Sequence, residues 1–277
     1  MTSTSPTWDP QQYLRHADHR GRPYADLLAR VPALPREPAR VADLGCGPGN
    51  VTTLLAERWP TAHITGYDNS PEMLARAEPY AGPTTGGGRL DFAHADVAHW
   101  TPTETYDLIA SNATLQWVPG HADAFPRLLD ALAPGGTFAF QVPGNFEAPS
   151  HALMRELAES GRWRSRLAGV LRHADAVLTP TAYLERLADL GCAVDAWETT
   201  YTHLLAGADP VLDWVKGTGL RPVLTALADD PEARDAFLAD YRDLLREAYP
   251  ATAHGTVLPF RRIFVVAVTS IEPVEPS

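Results

Sequence analysis

The chain has 277 residues and a formal net charge of −11, with 45% hydrophobic and 21% charged residues. This composition is typical of a soluble globular protein that buries a core. The acidic balance, without a basic run, argues against binding nucleic acid, whose phosphates require clustered cations. Residues 1–10 lack the apolar core of a signal peptide, and the longest apolar run near the end, "IFVVAV", is too short to span a bilayer.

The two cysteines do not suggest a disulfide framework. Cys46 lies inside a glycine-rich turn, and the only other cysteine is Cys192. Two free thiols fit a reducing compartment. We therefore expect a cytoplasmic protein that binds a small molecule, with no nucleic acid, no membrane and no obligate protein partner.

The first half of the chain alternates between strand and helix patterns. Helical spacing over residues 51–59 ends at Pro60, and Ser70 followed by Pro71 is typical of a helix N-terminus. A further amphipathic segment runs into the helix stop "APGG", and "GPTTGGG" predicts a surface loop. Short apolar runs predict five strands, at residues 41–44, 64–67, 90–93, 106–110 and 137–142. The alternation predicts a parallel sheet with helices on both faces.

After Pro149 the pattern becomes mainly helical. Residues 209–249 predict polar helices, interrupted by "KGTGLRP", before residues 258–268 return to strand character. The other predicted elements here are helices at 151–161 and 180–190 and a sixth strand at 193–201. We predict a Rossmann-like α/β fold, a mostly parallel seven-stranded sheet with helices on both faces and a helical lid inserted before the last strand.

The expected domain organisation is a single domain over residues 1–277. Its cofactor-binding sheet core comprises residues 30–205 and 256–270. Its helical lid over the substrate comprises residues 1–29 and 206–255.

The turn "VADLGCGPGN" follows the first predicted strand. It lacks the lysine of a Walker phosphate loop. It also departs from the dinucleotide pattern, since Asn50 occupies the third glycine position and Asp43 stands where an apolar residue is usual. A carboxylate at the end of a strand, beside a helix N-terminus, suits a ligand with an ammonium group.

Two further acids follow the next two predicted strands. Asp68 is placed to accept hydrogen bonds from both hydroxyls of a ribose, and Asp96 in "HADV" to accept from the amine of adenine. The alternative for both is a helix or turn cap. An ammonium, a ribose and an adenine without phosphate describe S-adenosylmethionine.

The motifs "VADLGCGPGN", "ITGYDNSPEML" and "HADV" resemble those of class I S-adenosylmethionine-dependent methyltransferases over residues 36–145. The segment "SNATLQWVPGH" resembles two carboxyl methyltransferase families, which act on trans-aconitate and on malonyl-carrier protein. Three more segments, "HRGRPYADLLARVP", "LDWVKGTGLRPVL" and "LPFRRIFVVA", resemble the trans-aconitate 2-methyltransferase family in order and spacing. The resemblance runs from about residue 8 to residue 267. The chain departs from the family pattern at Arg261, where the family usually has proline, and at the pair Lys216-Gly217.

The resemblance implies a carboxyl O-methyltransferase that forms the monomethyl ester of a small di- or tricarboxylic acid, with trans-aconitate the first choice. Another small carboxylate, a specialised metabolite or malonyl-carrier protein remain open as acceptors. A nicotinamide oxidoreductase and a catalytically silent cofactor-binding module are the alternatives from other classes.

The motifs and the resemblance together imply the site residues. Those expected at the cofactor are Tyr13, Arg22, Asp43, Gly45, Cys46, Gly47, Asn50, Asp68, Asn69, Met73, Asp96, Val97, Asn112, Gln116 and Trp117. Those expected at the acid are Arg22, Gln116, Trp117, His203, Arg221, Arg261 and Arg262. Arginine binds carboxylates through a fixed two-pronged donor set.

Arg221 is favoured among the arginines because its segment is broken by glycines and does not look like a regular helix face. For any one arginine the alternative is a solvated surface charge, and His203 could equally face solvent. A carboxylic acid is already ionised at pH 7. We therefore predict no catalytic base and no metal ligand.

Overall fold

The computed structural model describes residues 17–102, 104–172 and 176–270, with side chains from residue 21 onward. The chain divides into two compact units. We call residues 18–143, 177–199 and 262–277 the sheet unit, and residues 1–17, 144–176 and 200–261 the helical unit. Residues 144–176, which the sequence analysis assigned to the sheet core, thus belong to the helical unit.

The strands in the described residues form a single sheet. They are β1 (Arg40–Leu44), β2 (His63–Asp68), β3 (Gly82–Pro83), β4 (Arg89–His94), β5 (Tyr106–Asn112), β6 (Leu132–Pro143), β7 (Ala193–Leu205), β8 (Ala251–Thr252) and β9 (Gly255–Val268). The strand order is β3-β4-β2-β1-β5-β6-β9-β7, and β8 pairs with β9. Neighbours from β4 to β6 run parallel, whereas β9 runs antiparallel to β6.

This sheet confirms the predicted α/β class but corrects the count of seven strands. The two additional strands, β3 and β8, have two residues each. β3 lies in the segment predicted as a surface loop and pairs antiparallel with β4. Two residues carry no periodicity, so no sequence pattern could reveal either strand.

The helices lie close to their predicted positions. They are α1 (Ala17–Leu28), α2 (Thr53–Arg58), α3 (Pro71–Ala77), α4 (Phe125–Asp130), α5 (Pro149–Glu159), α6 (Arg164–Leu167), α7 (Pro180–Asp189), α8 (Pro210–Lys216), α9 (Arg221–Ala226) and α10 (Pro231–Ala248). Ser70 caps α3 as predicted, because its Oγ accepts from Met73 N. "APGG" does not separate α4 from the next strand but lies inside β6. No helix in the described ranges is both long and apolar enough to traverse a bilayer.

Each unit has its own hydrophobic core. In the sheet unit, Phe125 of α4 and Tyr183 of α7 pack against Phe138 and Phe140 of β6. The helical unit buries a second cluster that includes Trp214, Phe237, Tyr241, Leu220 and Leu245. The helices predicted over residues 209–249 are therefore present, and they also bury apolar faces that were not predicted. The short turns between α8, α9 and α10 obscure the 3.6-residue period that would have shown their apolar faces.

Candidate cofactor site

The glycine turn is held against the end of β2. Gly45 N and Cys46 N both donate to Tyr67 O, at 2.7 and 3.0 Å. A methyl group at Gly45, whose φ is +78°, would lie 2.1 Å from Thr114 Oγ1. Gly47 has φ +57°, and no atom lies within 4 Å of the place where its Cβ would be. Gly45 is required for close packing, while Gly47 leaves bare backbone open to a ligand.

Asp68, at the end of β2, joins the turn to the following helix. Its two carboxylate oxygens accept from Gly47 N and from Ser70 N, each at 2.9 Å. Burial raises the pKa of Asp68, while these backbone hydrogen bonds act to lower it. A carboxylate oxygen has two lone pairs, so each can also accept from a ligand hydroxyl.

Asp43 lies beneath the turn, where it is 1% exposed. Its oxygens accept from Tyr24 Oη at 3.0 Å and from Thr52 Oγ1 at 2.7 Å. Burial raises the pKa of this carboxyl to about 6. The structure thus shows Asp43 fixing the turn and α1 through two buried hydroxyls. Direct contact with a ligand ammonium remains a prediction.

Asn50, the last residue of the turn, carries a buried hydrogen-bond acceptor. Its Oδ1 is buried and has no hydrogen-bond partner in the part of the chain that the structure describes. A buried acceptor without a partner costs about 1–3 kcal/mol. A cationic donor bound at the turn would relieve that cost, which fits the ammonium of S-adenosylmethionine.

Three further residues expected at the cofactor are Met73, Val97 and Asp96. Met73 and Val97 are buried. Asp96 is exposed and accepts from Ala98 N at 3.0 Å, with His99 Nδ1 also 3.0 Å from its second oxygen. Asp96 therefore acts as a turn cap, the alternative that the sequence left open. This contact leaves lone pairs for an amine donor.

The segment that follows β5 contains features that sequence reasoning missed. Ala113 has φ +55°, a left-handed conformation that is strained for a residue with a side chain. Thr114 Oγ1 donates to Gly45 O at 3.2 Å, and Ser111 Oγ donates to Leu44 O at 2.8 Å. Gln116 Nε2 donates to Ala113 O at 2.6 Å. The fold places this segment close to the glycine turn. No local sequence pattern could therefore have predicted these contacts.

Buried polar side chains of β5, β6 and β9 are linked by hydrogen bonds near the end of β5. Gln141 on β6 lies in register with Asn112 on β5, and its Nε2 donates to Asn112 Oδ1 at 2.7 Å. Arg262 Nη1 on β9 donates to Gln141 Oε1 at 3.2 Å. Arg262 is 6% exposed. A buried guanidinium is thus connected through one side chain to a predicted cofactor residue, and Gln141 was not predicted.

Other predicted residues of the sheet unit occupy more ordinary places. Arg22 on α1 is exposed and lies 3.8 Å from Asp26. Asn69 is exposed and Trp117 is half-buried. Cys46 is buried and burial raises the pKa of its thiol, which is unsuitable for a nucleophile. Tyr13 lies outside the described residues.

The three predicted acid-binding residues of the helical unit are found in different settings. His203 is 9% exposed and its ring lies 4.7 Å from that of Trp214, so it does not face solvent. Arg221 is the first residue of α9, which corrects its expected place off any regular helix. Arg261 Nη1 donates to Gly144 O at 3.2 Å, and the side-chain amide of Asn145 pairs with the Arg261 main chain.

Comparisons with known proteins agree with this geometry. Residues 13–198 match the family model described as a methyltransferase domain. The chain is 74% identical to trans-aconitate 2-methyltransferase of Streptomyces avermitilis over 96% of this chain and 98% of that protein. It is 72% identical to the enzyme of that name from Streptomyces coelicolor over 96% of this chain and 88% of that protein.

Solved structures share the fold at low sequence identity. The YcgJ protein of Bacillus subtilis superimposes with a TM-score of 0.56 at 15% identity, covering 91% of this chain and 99% of that one. A phosphoethanolamine N-methyltransferase of Haemonchus contortus, solved with S-adenosylhomocysteine, gives a TM-score of 0.52 at 16% identity, covering 90% of this chain and 52% of that one.

The fold, the glycine turn with its acids and the matching methyltransferase domain define an S-adenosylmethionine-dependent methyltransferase of class I. Its cofactor is S-adenosylmethionine. The chain belongs to the trans-aconitate 2-methyltransferase family.

Proposed function

We propose that this enzyme is a carboxyl O-methyltransferase that converts a small di- or tricarboxylic acid, most directly trans-aconitate, to its monomethyl ester. Support comes from relatives of that name that match almost the whole chain at 72–74% identity. The proposal extends the shared family to a shared substrate.

The observation that carries the acid preference is the position of Arg262. This buried guanidinium contacts Gln141, which in turn contacts Asn112 at the end of β5. The guanidinium group matches the geometry of a carboxylate through its two-pronged donor set. An anionic acceptor at this edge of the sheet fits that charge better than an amine or a neutral alcohol.

The chemistry needs little from the protein beyond positioning. Bound S-adenosylmethionine supplies an electrophilic methyl group. Asn50, Asp68 and the open backbone at Gly47 are the groups we propose to hold it. A carboxylate with an ordinary pKa near ~4 is already the nucleophile at pH 7, so no proton has to be removed. The remaining task is to align the acid and exclude water.

The remaining acid-binding assignments are part of the same proposal. They concern Arg22, Gln116, Trp117, His203, Arg221 and Arg261, each of which we propose as a contact of the acid. We also propose a cytoplasmic location and a small-molecule substrate rather than a macromolecular partner. Two free cysteines, Cys46 and Cys192, favour a reducing compartment.

The direct test is a panel of mono-, di- and tricarboxylic acids incubated with enzyme and S-adenosylmethionine, with methyl esters measured by mass spectrometry. We expect trans-aconitate to give a monomethyl ester with the highest kcat/KM. The matched control is Arg89→Gln, a change at an exposed residue paired with Asp91, which should leave the acid ranking unchanged. Equal use of monocarboxylates, or ester formation on none of the acids, would reject the proposal.

A further inference from the structure

Gln141 lies at the centre of the three linked side chains of β5, β6 and β9, and it is fully buried. Its Oε1 accepts from Arg262 Nη1 at 3.2 Å, and its Nε2 donates to Asn112 Oδ1 at 2.7 Å. All three residues belong to the sheet unit. The side-chain amide of Gln141 thus uses both of its ends in hydrogen bonds to neighbouring strands, and neither bond was predicted from the sequence.

The guanidinium of Arg262 decides the direction of both hydrogen bonds. A guanidinium has N–H donors only, whereas the side-chain amides of glutamine and asparagine each have a donor end and an acceptor end. Arg262 therefore requires that Gln141 turn its oxygen towards β9, which leaves its nitrogen facing β5. Asn112 must then accept with its oxygen. One charged residue thereby sets the orientation of two amides that could otherwise turn over.

Asn112 is left with its N–H groups as the part of the amide that can bind a ligand. Its Nδ2 makes no hydrogen bond within the ranges that the structure describes. Asn112 is the last residue of β5. The main chain of Gln141 also fixes the next residue, since Ala113 N donates to Gln141 O at 2.9 Å. Thr114 then contacts the glycine turn, so the segment that begins at Asn112 runs directly to the proposed cofactor site.

The series of hydrogen bonds gives these N–H groups a preference for an anion. Hydrogen bonds in series polarise one another inside a protein, and this series begins at a positive charge. The N–H groups of Asn112 are therefore better donors than those of an isolated amide. Such donors favour a carboxylate oxygen over a neutral amine, because the single lone pair of an amine is needed for its attack on the methyl group.

We propose that Gln141 is a positioning residue, which holds Asn112 so that its amide N–H groups bind a carboxylate oxygen of the acid substrate. Asn112 contacts the substrate, and Gln141 acts through Asn112 alone. The inference rests on the proposed function in one respect, because it takes the ligand to be a carboxylic acid. It moves Asn112 from the cofactor, where the sequence analysis expected it, to the acid.

Gln141→Glu reverses the orientation of Asn112 without depriving Arg262 of its acceptor. The new carboxylate stays ionised beside the guanidinium and can only accept. Asn112 must then turn its nitrogen towards β6 and its oxygen towards the ligand. An acceptor in the place of the donors should raise KM for trans-aconitate about 10- to 100-fold.

Thr137→Val is the matched control, because it changes another buried polar side chain of the same strand. Thr137 is fully buried, and its Oγ1 has no hydrogen-bond partner among the described residues. Valine has nearly the same shape as threonine, so KM and kcat of Thr137→Val should equal those of the wild type. A rise in KM that is as large in Thr137→Val as in Gln141→Glu would count against the inference.

A second variant separates positioning from a structural role. Gln141→Met removes both hydrogen bonds, so Arg262 loses a buried acceptor, while Asn112 is still able to turn its N–H groups to the acid. We expect Gln141→Met to be less stable to urea than Gln141→Glu, yet to have the lower KM for trans-aconitate. If Gln141 were only structural, the less stable variant would also have the higher KM, and that result would overturn the inference.

Calorimetry distinguishes the acid from the cofactor as the ligand of Asn112. In the presence of S-adenosylhomocysteine, which prevents turnover, tricarballylate should bind Gln141→Glu at least about tenfold more weakly than it binds the wild type and Thr137→Val. The Kd of S-adenosylhomocysteine should stay within about twofold in all three proteins. Equal weakening of both ligands, or weakening of S-adenosylhomocysteine alone, would overturn the inference.

Asn112→Asp keeps the test decisive if Gln141→Glu does not fold. The new carboxylate still accepts from Gln141 but offers the ligand no donor, so the Kd of tricarballylate should again rise at least about tenfold. A wild-type Kd in Asn112→Asp would overturn the inference. If the wild type esterifies no acid, yet tricarballylate binds it and binds these variants more weakly, the proposed function fails and the positioning role of Gln141 stands.

Discussion

At the scale of single residues, Asp68 is the side chain on which we expect cofactor binding to depend most. It accepts two backbone hydrogen bonds and has lone pairs left for a ribose. Asp68→Ala should weaken S-adenosylhomocysteine binding at least tenfold, because each charge-assisted hydrogen bond contributes ~1.5–3 kcal/mol. Calorimetry measures this directly. Asp91→Ala, a change at a carboxylate paired with Arg89, should bind as the wild type does, and an equal loss in both variants would count against the assignment.

Asp43 should leave a signature in the pH dependence of stability. Its folded-state pKa of about 6 lies above the ordinary aspartate value of 3.8, so between these values the folded state binds more protons than the unfolded state. The Asp43 contribution therefore makes the free energy of unfolding fall as pH rises from about 4 to about 6, and leaves it constant above that. Two pKa units correspond to roughly 3 kcal/mol.

The measurement for Asp43 is urea unfolding of wild type and Asp43→Asn across that range. The variant carries no titrating carboxyl, so its stability relative to the wild type should increase from pH 4 to pH 6 and then remain level. Any constant cost from weaker hydrogen bonds with Tyr24 and Thr52 cancels in this comparison. A difference that does not vary with pH would show that Asp43 titrates normally in the folded state.

At the scale of elements, the glycine turn allows the cost of backbone strain to be compared with the cost of steric crowding. Gly47 and Gly45 both have positive φ, but only at Gly45 would a methyl group collide with Thr114. Gly47→Ala should cost about 1–2 kcal/mol of stability, the usual cost of a left-handed residue with a side chain. Gly45→Ala should cost more and should also displace the segment after β5. Urea unfolding ranks the two, and equal losses would contradict the packing described here.

The helices of the helical unit form a core, and this can be tested at Trp214. Its side chain is 1% exposed. Trp214→Ala should lower the free energy of unfolding by about 3–5 kcal/mol, as for other large-to-small changes in a core. Leu204→Ala changes a residue that is 55% exposed, and should stay within about 0.5 kcal/mol of wild type. A small effect at Trp214 would mean that these helices pack loosely.

Sequence reasoning succeeded where a single strand or turn carries its own signal. The glycines of the turn, the acid at the end of β2 and the Ser70 cap are local features, and each lies at its predicted position. The sites it missed depend on residues far apart in the chain. Tyr24 reaches Asp43, and Gln141 reaches both Asn112 and Arg262, only because the fold brings α1, β1, β5, β6 and β9 together. The spacing of residues along the sequence does not predict such contacts.

At the scale of the whole molecule, the net charge of the protein has the same sign as the charge of the proposed substrate. The chain carries −11 overall, and a di- or tricarboxylate is repelled by such a field at long range. Local positive charge must offset that repulsion. Arg262, a guanidinium that is 6% exposed, is one group that can contribute to this offset. This arrangement favours small polyanions over an acidic protein acceptor, whose large surface would meet the same negative field.

The central claim is that the methyl group of S-adenosylmethionine goes to a carboxylate oxygen of trans-aconitate. The most direct measurement uses S-adenosylmethionine with a deuterated methyl group, trans-aconitate and wild-type enzyme, with the products resolved by mass spectrometry. We predict one labelled methyl ester per acid and an equal amount of S-adenosylhomocysteine, with a labelled product that alkaline hydrolysis returns to trans-aconitate. S-adenosylhomocysteine without labelled ester, or a label that survives alkaline hydrolysis of the acid, would contradict the account.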